Sequence, residues 1–157
     1  MHHEEPETRL VELKLELPPA SKPQGVYKPL YLLDNRLIFL SGHGPLKADG
    51  TMIVGRVGAD LDLEAGKQAA RQVGLAMLAT LQEYFKGLNH VRRLIKTFGL
   101  VNCTADFTQH SLVINGFSEL MFDVFGPEHG IGVRSSVGAI SLPGNMAVEI
   151  EAVFEER

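Results

Sequence analysis

The chain has 157 residues, 45% apolar and 22% charged, which predicts one globular domain with a sizeable core. Its net charge of −4 disfavours nucleic acid as a partner, because a general phosphate-backbone binder is basic. A single cysteine, Cys103, excludes an intrachain disulfide framework and points to a reducing compartment.

The opening MHHEEPETRL lacks the basic and apolar segments of a secretory signal. No apolar run approaches the ~18 residues of a membrane span. The chain is therefore expected in the cytoplasm. His2 and His3 read as a tag remnant or a native tail. Residues 7–17, ETRLVELKLEL, place Leu10, Leu13 and Leu17 on one helical face. Leu13, Leu15 and Leu17 also alternate with polar residues, so a short strand competes; the helical reading is preferred, ended by Pro18 and Pro19. Residues 1–24 form a leader with a linker, and 25–157 the domain proper. The run VYKPLYLLDNRLIFLSG reads as a hairpin about Asp34-Asn35. Glycines punctuate the next segment as loop.

From Leu63 to about Phe85, Ala65, Ala69, Val73, Ala76, Thr80 and Tyr84 form one stripe, predicting a helix with Gly87 as its stop. Residues 92–103 read as a strand. Val113, Phe117, Leu120, Met121 and Val124 predict a second helix, stopped at Gly126-Pro127. Two last strands, joined by LPGN as a turn, complete a short helix followed by β-β-α-β-α-β-β. This order implies an α+β fold, a mixed sheet with two helices on one face.

The last two strands pose a problem. Val148, Ile150, Ala152 and Phe154 alternate with Glu149 and Glu151, so the glutamates point away from the helices. Arg134 shares a face with Ser136, Gly138 and Ile140. Charges on such a strand pair solvate a surface or form an ordinary cross-strand pair. Alternatively they build a site. An arginine fork suits a carboxylate, a glutamate can activate water, and the small neighbours Ser135, Ser136 and Gly138 leave room for a ligand.

The stretch RSSVGAISLPGNMAVEIEAVF resembles the C-terminal signature of the RidA/YjgF family: Arg-Ser-x-Val, then Leu-Pro, then Val-Glu-Ile-Glu. LIFLSGHGP resembles its Ser-Gly-x-x-Pro strand end, and AGKQAARQVGLAMLATL and VINGFSELMFDVFG its two helices. The resemblance spans roughly residues 25–156, with the helical leader suggesting a longer subgroup. It implies the chorismate-mutase-like fold and a homotrimer whose sheets face inward, with active sites in clefts between subunits. It also implies hydrolysis of reactive enamines and imines, such as 2-aminoacrylate and its imine tautomer, to 2-keto acids and ammonia, without metal or organic cofactor. By position, Arg134 matches the family arginine that binds the substrate carboxylate, and Glu149 the glutamate that positions water. Gly42 matches the glycine beside the ligand, Asn115 a helix asparagine near the cleft, and Tyr27 the cleft tyrosine, given a one-residue insertion before Ser41. Ser136 stands where RidA itself has a cysteine. The loop GPEHGIG departs from RidA's Phe-Pro-Ala approach to the arginine, which bears on substrate choice. A non-catalytic carboxylate binder and a ribonuclease or translation inhibitor are the competing functions.

Cys103, at the end of an apolar strand, reads as a buried structural thiol. His43, His90, His110 and His129 lack metal-ligand spacing, and GHGPLKADG lacks the Gly-Lys-Ser/Thr ending of a P-loop.

Overall fold

The computed structural model describes residues 5–157; His2 and His3 lie outside them. A short helix, α1 (Pro6–Glu12), precedes a sheet of five strands: β1 (Leu30–Leu33), β2 (Leu37–His43), β3 (Val91–Asn102), β4 (Val133–Ala139) and β5 (Val148–Glu156). Two long helices, α2 (Leu63–Phe85) and α3 (His110–His129), complete the expected order. Among the described residues no helix is long and apolar enough to cross a membrane.

Local chemistry sets the element ends. α1 stops well before Pro18, because Lys14 adopts a left-handed φ of 52°. Leu13, Leu15 and Leu17 still pack against the core from beyond the helix. The hairpin turn is at the predicted place: Asp34 and Asn35 both take left-handed φ, 51° and 49°, the conformation that matches the twist of paired strands. α2 opens with the Asp62 carboxylate accepting from the Ala65 amide at 2.8 Å, a side-chain N-cap. It closes at Lys86, left-handed at φ 58°, one residue before the predicted Gly87. α3 breaks at Gly126 (φ 80°, ψ 174°) ahead of Pro127 and adds one further turn to His129.

The strand order is β1-β2-β5-β3-β4. β4 runs parallel to β3, and every other pairing is antiparallel. The expectation that the last two strands pair directly is therefore wrong. β3 lies between them, and Pro143–Asn145 is a 3₁₀ turn on a longer crossing rather than a hairpin tip. The turn composition of LPGN was legible. Its neighbours in the sheet were not, because pairing is decided by contacts remote in sequence.

α2 and α3 cover one sheet face. Ile38, Leu40, Val148, Ile150 and Phe154 pack there with Met77, Leu81, Phe117 and Met121, all in one buried core. Tyr84, placed in the α2 stripe from its spacing, is exposed at the far end of the helix. The opposite sheet face is uncovered. Tyr31, Phe39, Val133 and Val137 remain 53%, 41%, 69% and 38% exposed on it, together with the half-buried Phe98 and Leu100.

Candidate functional site

Arg134 lies on β4, an edge strand. Its partner across the parallel pairing is Thr97, which is buried on the helix-bearing face. The guanidinium therefore reaches toward α3. Nη1 donates to Ser118 Oγ at 3.0 Å, and Nη2 donates to Asn115 Oδ1 at 2.7 Å and to the Ser111 carbonyl at 3.2 Å. Ser111, Asn115 and Ser118 follow one another at spacings of four and three, so one face of α3 presents all three acceptors. Three of the five guanidinium N–H groups are thus engaged, and two remain for a ligand. Partial burial lowers the pKa of Arg134 from its ordinary value; the group stays cationic at neutral pH. A cavity of about 290 Å³ adjoins it, lined also by Leu94, Thr97, Phe122 and Ile131. Ile131 belongs to the GPEHGIG loop that differs from RidA. Ser136, two residues along the same face, has a buried hydroxyl with no hydrogen-bond partner.

Glu149 projects from β5 on the other side of the sheet, level with Leu100. Burial raises its pKa first, and the charge of Glu151 raises it further. Its carboxylate lies against Gly42, where any Cβ would collide with Glu149 Oε1. Glycine at 42 is thus a requirement of close approach. A bulge brings the two together: the β2–β5 register slips between Leu40 and His43, inserting one extra residue around Ser41 and Gly42. His43 pins the bulge from behind. Its ring is buried, with Nδ1 2.6 Å from the Ser41 carbonyl and Nε2 2.8 Å from Thr80 Oγ1. A carbonyl only accepts, so Nδ1 carries the proton and Nε2 accepts from Thr80. Burial lowers the pKa of His43 and keeps it neutral. The Ser41 hydroxyl donates to the Lys28 carbonyl at 2.6 Å, tying the bulge to the segment that carries Tyr27. Tyr27 itself is exposed, its amide donating to the Gly25 carbonyl and its hydroxyl accepting from the Gln24 amide.

The structure therefore gathers the six residues into two groups. Arg134 and Asn115 are in contact, with Ser136 nearby on the same face. Gly42 and Glu149 are in contact, with Tyr27 on the loop leading to β1. The two groups occupy opposite faces of one sheet, so Arg134 and Glu149 do not form the cross-strand pair that was one reading of these charges. β3 separates the strands, and the alternation of side chains sends the two charges to opposite sides. Sequence reasoning also missed Ser111, Ser118 and Thr80 as supports, while a loop-capping role for His43 was legible from its place after Gly42. Ser118 had a signal, standing one helical turn from Asn115 on the same face; Ser111 had none, because it offers only its backbone carbonyl.

A mixed five-stranded sheet with two helices covering one face defines the chorismate-mutase-like fold class. The profile of the family described as "YjgF/chorismate mutase-like, putative endoribonuclease" matches residues 7–149, and the chain belongs to that family. Protein TCP17 of Trypanosoma cruzi is 35% identical over 146 residues, 93% of this chain and 91% of that protein. Among solved structures, the protein Atu1372 from Agrobacterium tumefaciens is 36% identical with a TM-score of 0.86, covering 97% of this chain and 94% of its own. A structure described as a "putative endoribonuclease" from Shewanella oneidensis is 27% identical with a TM-score of 0.90, covering 96% and 99%.

Proposed function

We propose that this protein is a deaminase that hydrolyses reactive 2-imino acids and their enamine tautomers to 2-keto acids and ammonia, in clefts between the subunits of a homotrimer. The observation that carries the reading is the Arg134 fork, fixed by three acceptors on α3 with two N–H groups to spare beside a cavity. That arrangement suits a planar carboxylate. With the carboxylate on Arg134, the imine carbon stands within reach of a water held by Glu149 of a neighbouring subunit. Glu149 takes the proton of the attacking water, and a tetrahedral amino alcohol forms. The proton then moves to nitrogen, ammonia leaves, and the carbonyl is released. An imine carbon is already electrophilic, so the reaction calls on no cofactor. The Gly42 amide is a further donor for the carboxylate.

Two features support the assembly. The uncovered sheet face bears Tyr31, Phe39, Val133 and Val137 and asks for a partner. The two halves of the site lie on opposite faces of one chain, so a subunit lends Arg134 to one cleft and Glu149 to another. The family's description names an endoribonuclease. The net charge of −4, and the two carboxylates Glu149 and Glu151 on the outward face, weigh against a polyanionic substrate. A cytoplasmic setting fits the single cysteine.

The direct test is release of ammonia and keto acid from freshly generated 2-iminopropionate and from bulkier imino acids, whose side chains the apolar wall of Leu94, Phe122 and Ile131 would accept. Acceleration over the uncatalysed rate is expected; none with any imine, from a folded trimer, would sink the proposal. The shared cleft has its own test. Arg134→Ala and Glu149→Gln chains, each inactive alone, are unfolded together, refolded together and assayed. Random assembly leaves about one quarter of the clefts with both residues intact, since each must come from the right neighbour in a closed ring. Recovery to about that fraction is expected, and no recovery from mixed trimers would place the site within one subunit.

A further inference from the structure

We propose that Cys103 and His110 form a second site, a nucleophilic thiol–imidazole pair that takes α,β-unsaturated carbonyl compounds by conjugate addition. This proposal is independent of the deaminase reading.

Cys103 follows β3, and His110 opens α3. The connecting loop folds so that Cys103 Sγ lies 3.6 Å from His110 Nε2, within reach of proton exchange. The Cys103 backbone and the His110 ring are both held. The Cys103 amide donates to the Ala139 carbonyl at 3.3 Å, and its carbonyl accepts from Arg56 Nη2 at 2.6 Å. The imidazole stands edge-on to the Phe107 ring, 5.7 Å between centroids at 83°. The pair opens onto a cavity of about 460 Å³ walled by Phe107, Ala139 and Ile140, with Arg56 in its lining. Arg56 Nε is buried without a hydrogen-bond partner, and among the described residues no carboxylate forms an ion pair with this guanidinium.

Gly138 makes the approach possible. A Cβ there would stand 2.7 Å from His110 Nε2 and 3.0 Å from Cys103 Sγ, filling the space in front of both atoms. A structural core thiol has no need of a basic nitrogen, an unneutralised cation and an open apolar cavity. A reactive one does, because the thiolate is the nucleophile and is favoured by nearby cations and a general base.

The step balances without an oxidant. The thiol proton passes to His110 Nε2. Sulfur forms a C–S bond at the β-carbon, and the C=C π pair moves to the α-carbon as an enolate facing the cationic Arg56. The imidazolium returns its proton to the α-carbon. The apolar walls accept the hydrocarbon part of the electrophile.

N-ethylmaleimide is the probe, followed by intact-mass spectrometry. The chain has one cysteine, so any thiol adduct reports Cys103. The folded protein is expected to gain one adduct at pH 7, about tenfold faster than glutathione, whose thiol is largely protonated at that pH. His110→Gln is expected to lower the rate about tenfold by removing the base that takes the thiol proton. Arg56→Gln should lower it as well by removing the cation that faces the enolate. A wild-type rate no greater than that of glutathione would overturn the proposal. So would a rate indifferent to His110→Gln in a variant whose circular dichroism is unchanged.

Discussion

Replacing Arg134 with alanine is expected to lower kcat/KM toward 2-imino acids by about 10²- to 10³-fold, the loss of ~3–4 kcal/mol of charge-assisted bonding to the carboxylate. The reason lies in the geometry of the fork. Ser111, Asn115 and Ser118 hold the guanidinium in one orientation, so the free N–H groups meet a ligand without the cost of ordering a long side chain. Arg134→Lys is the informative companion. It keeps the charge but loses the planar pair of donors, and its activity should fall between wild type and alanine. Steady-state kinetics with 2-iminopropionate measure both. The side chain is half-buried at an edge strand, so the fold should survive. An alanine variant that folds and keeps kcat/KM within a factor of three would remove Arg134 from the site.

Glu149→Gln is expected to cut kcat about 10²-fold or more while leaving the affinity for a keto-acid product nearly unchanged, because amide and carboxylate are alike in shape but only the carboxylate takes a proton. This contrast separates a deaminase from a protein that only holds carboxylates. A binder would lose nothing by the change. The pH profile carries a second signature. Burial and Glu151 both raise the pKa of Glu149, and the base must be deprotonated to act. Activity should therefore fall with decreasing pH at a point above the ordinary glutamate value of ~4.3. Glu151→Gln removes the repulsive charge and should shift that limb toward lower pH. A limb that stays in place would show that the neighbouring charge does not govern the base.

Much of the fold was legible in the chain because its signals are local. Asp34-Asn35 named the hairpin, the stripe of Ala65, Ala69, Val73 and Ala76 marked α2, and Gly126-Pro127 broke α3 where their backbone preferences dictate. The short leader helix was overextended, since nothing in ETRLVELKLEL announces the left-handed Lys14. The sheet order was hidden for a different reason. β4 and β5 adjoin in sequence across LPGN, yet the interposition of β3 depends on the pairing of residues 91–101 with 148–156, which no local pattern encodes. The site shows the same division. Alternation along β5 correctly sent Glu149 outward, and alternation along β4 correctly joined Arg134 with Ser136. Only the register through β3 reveals that the two sets face opposite ways. The bulge at Ser41-Gly42 and its buried His43–Thr80 brace were likewise beyond sequence reading, because a bulge is defined by its partner strand.

The central place of β5 has a consequence for how the protein is made. β5 follows the other four strands of the domain in the chain, yet it joins β2 to β3. Until residues 148–156 emerge, a nascent chain holds two unjoined pieces, the β1–β2 hairpin and the β3–β4 pair. Ile38, Leu40 and Leu94 then await Ile150 and Phe154 for their packing. Folding of the domain thus waits for its last strand rather than proceeding stepwise, and it closes loops of over a hundred residues between β2 and β5, a topology expected to be slow and to expose unpaired strand edges in the interval.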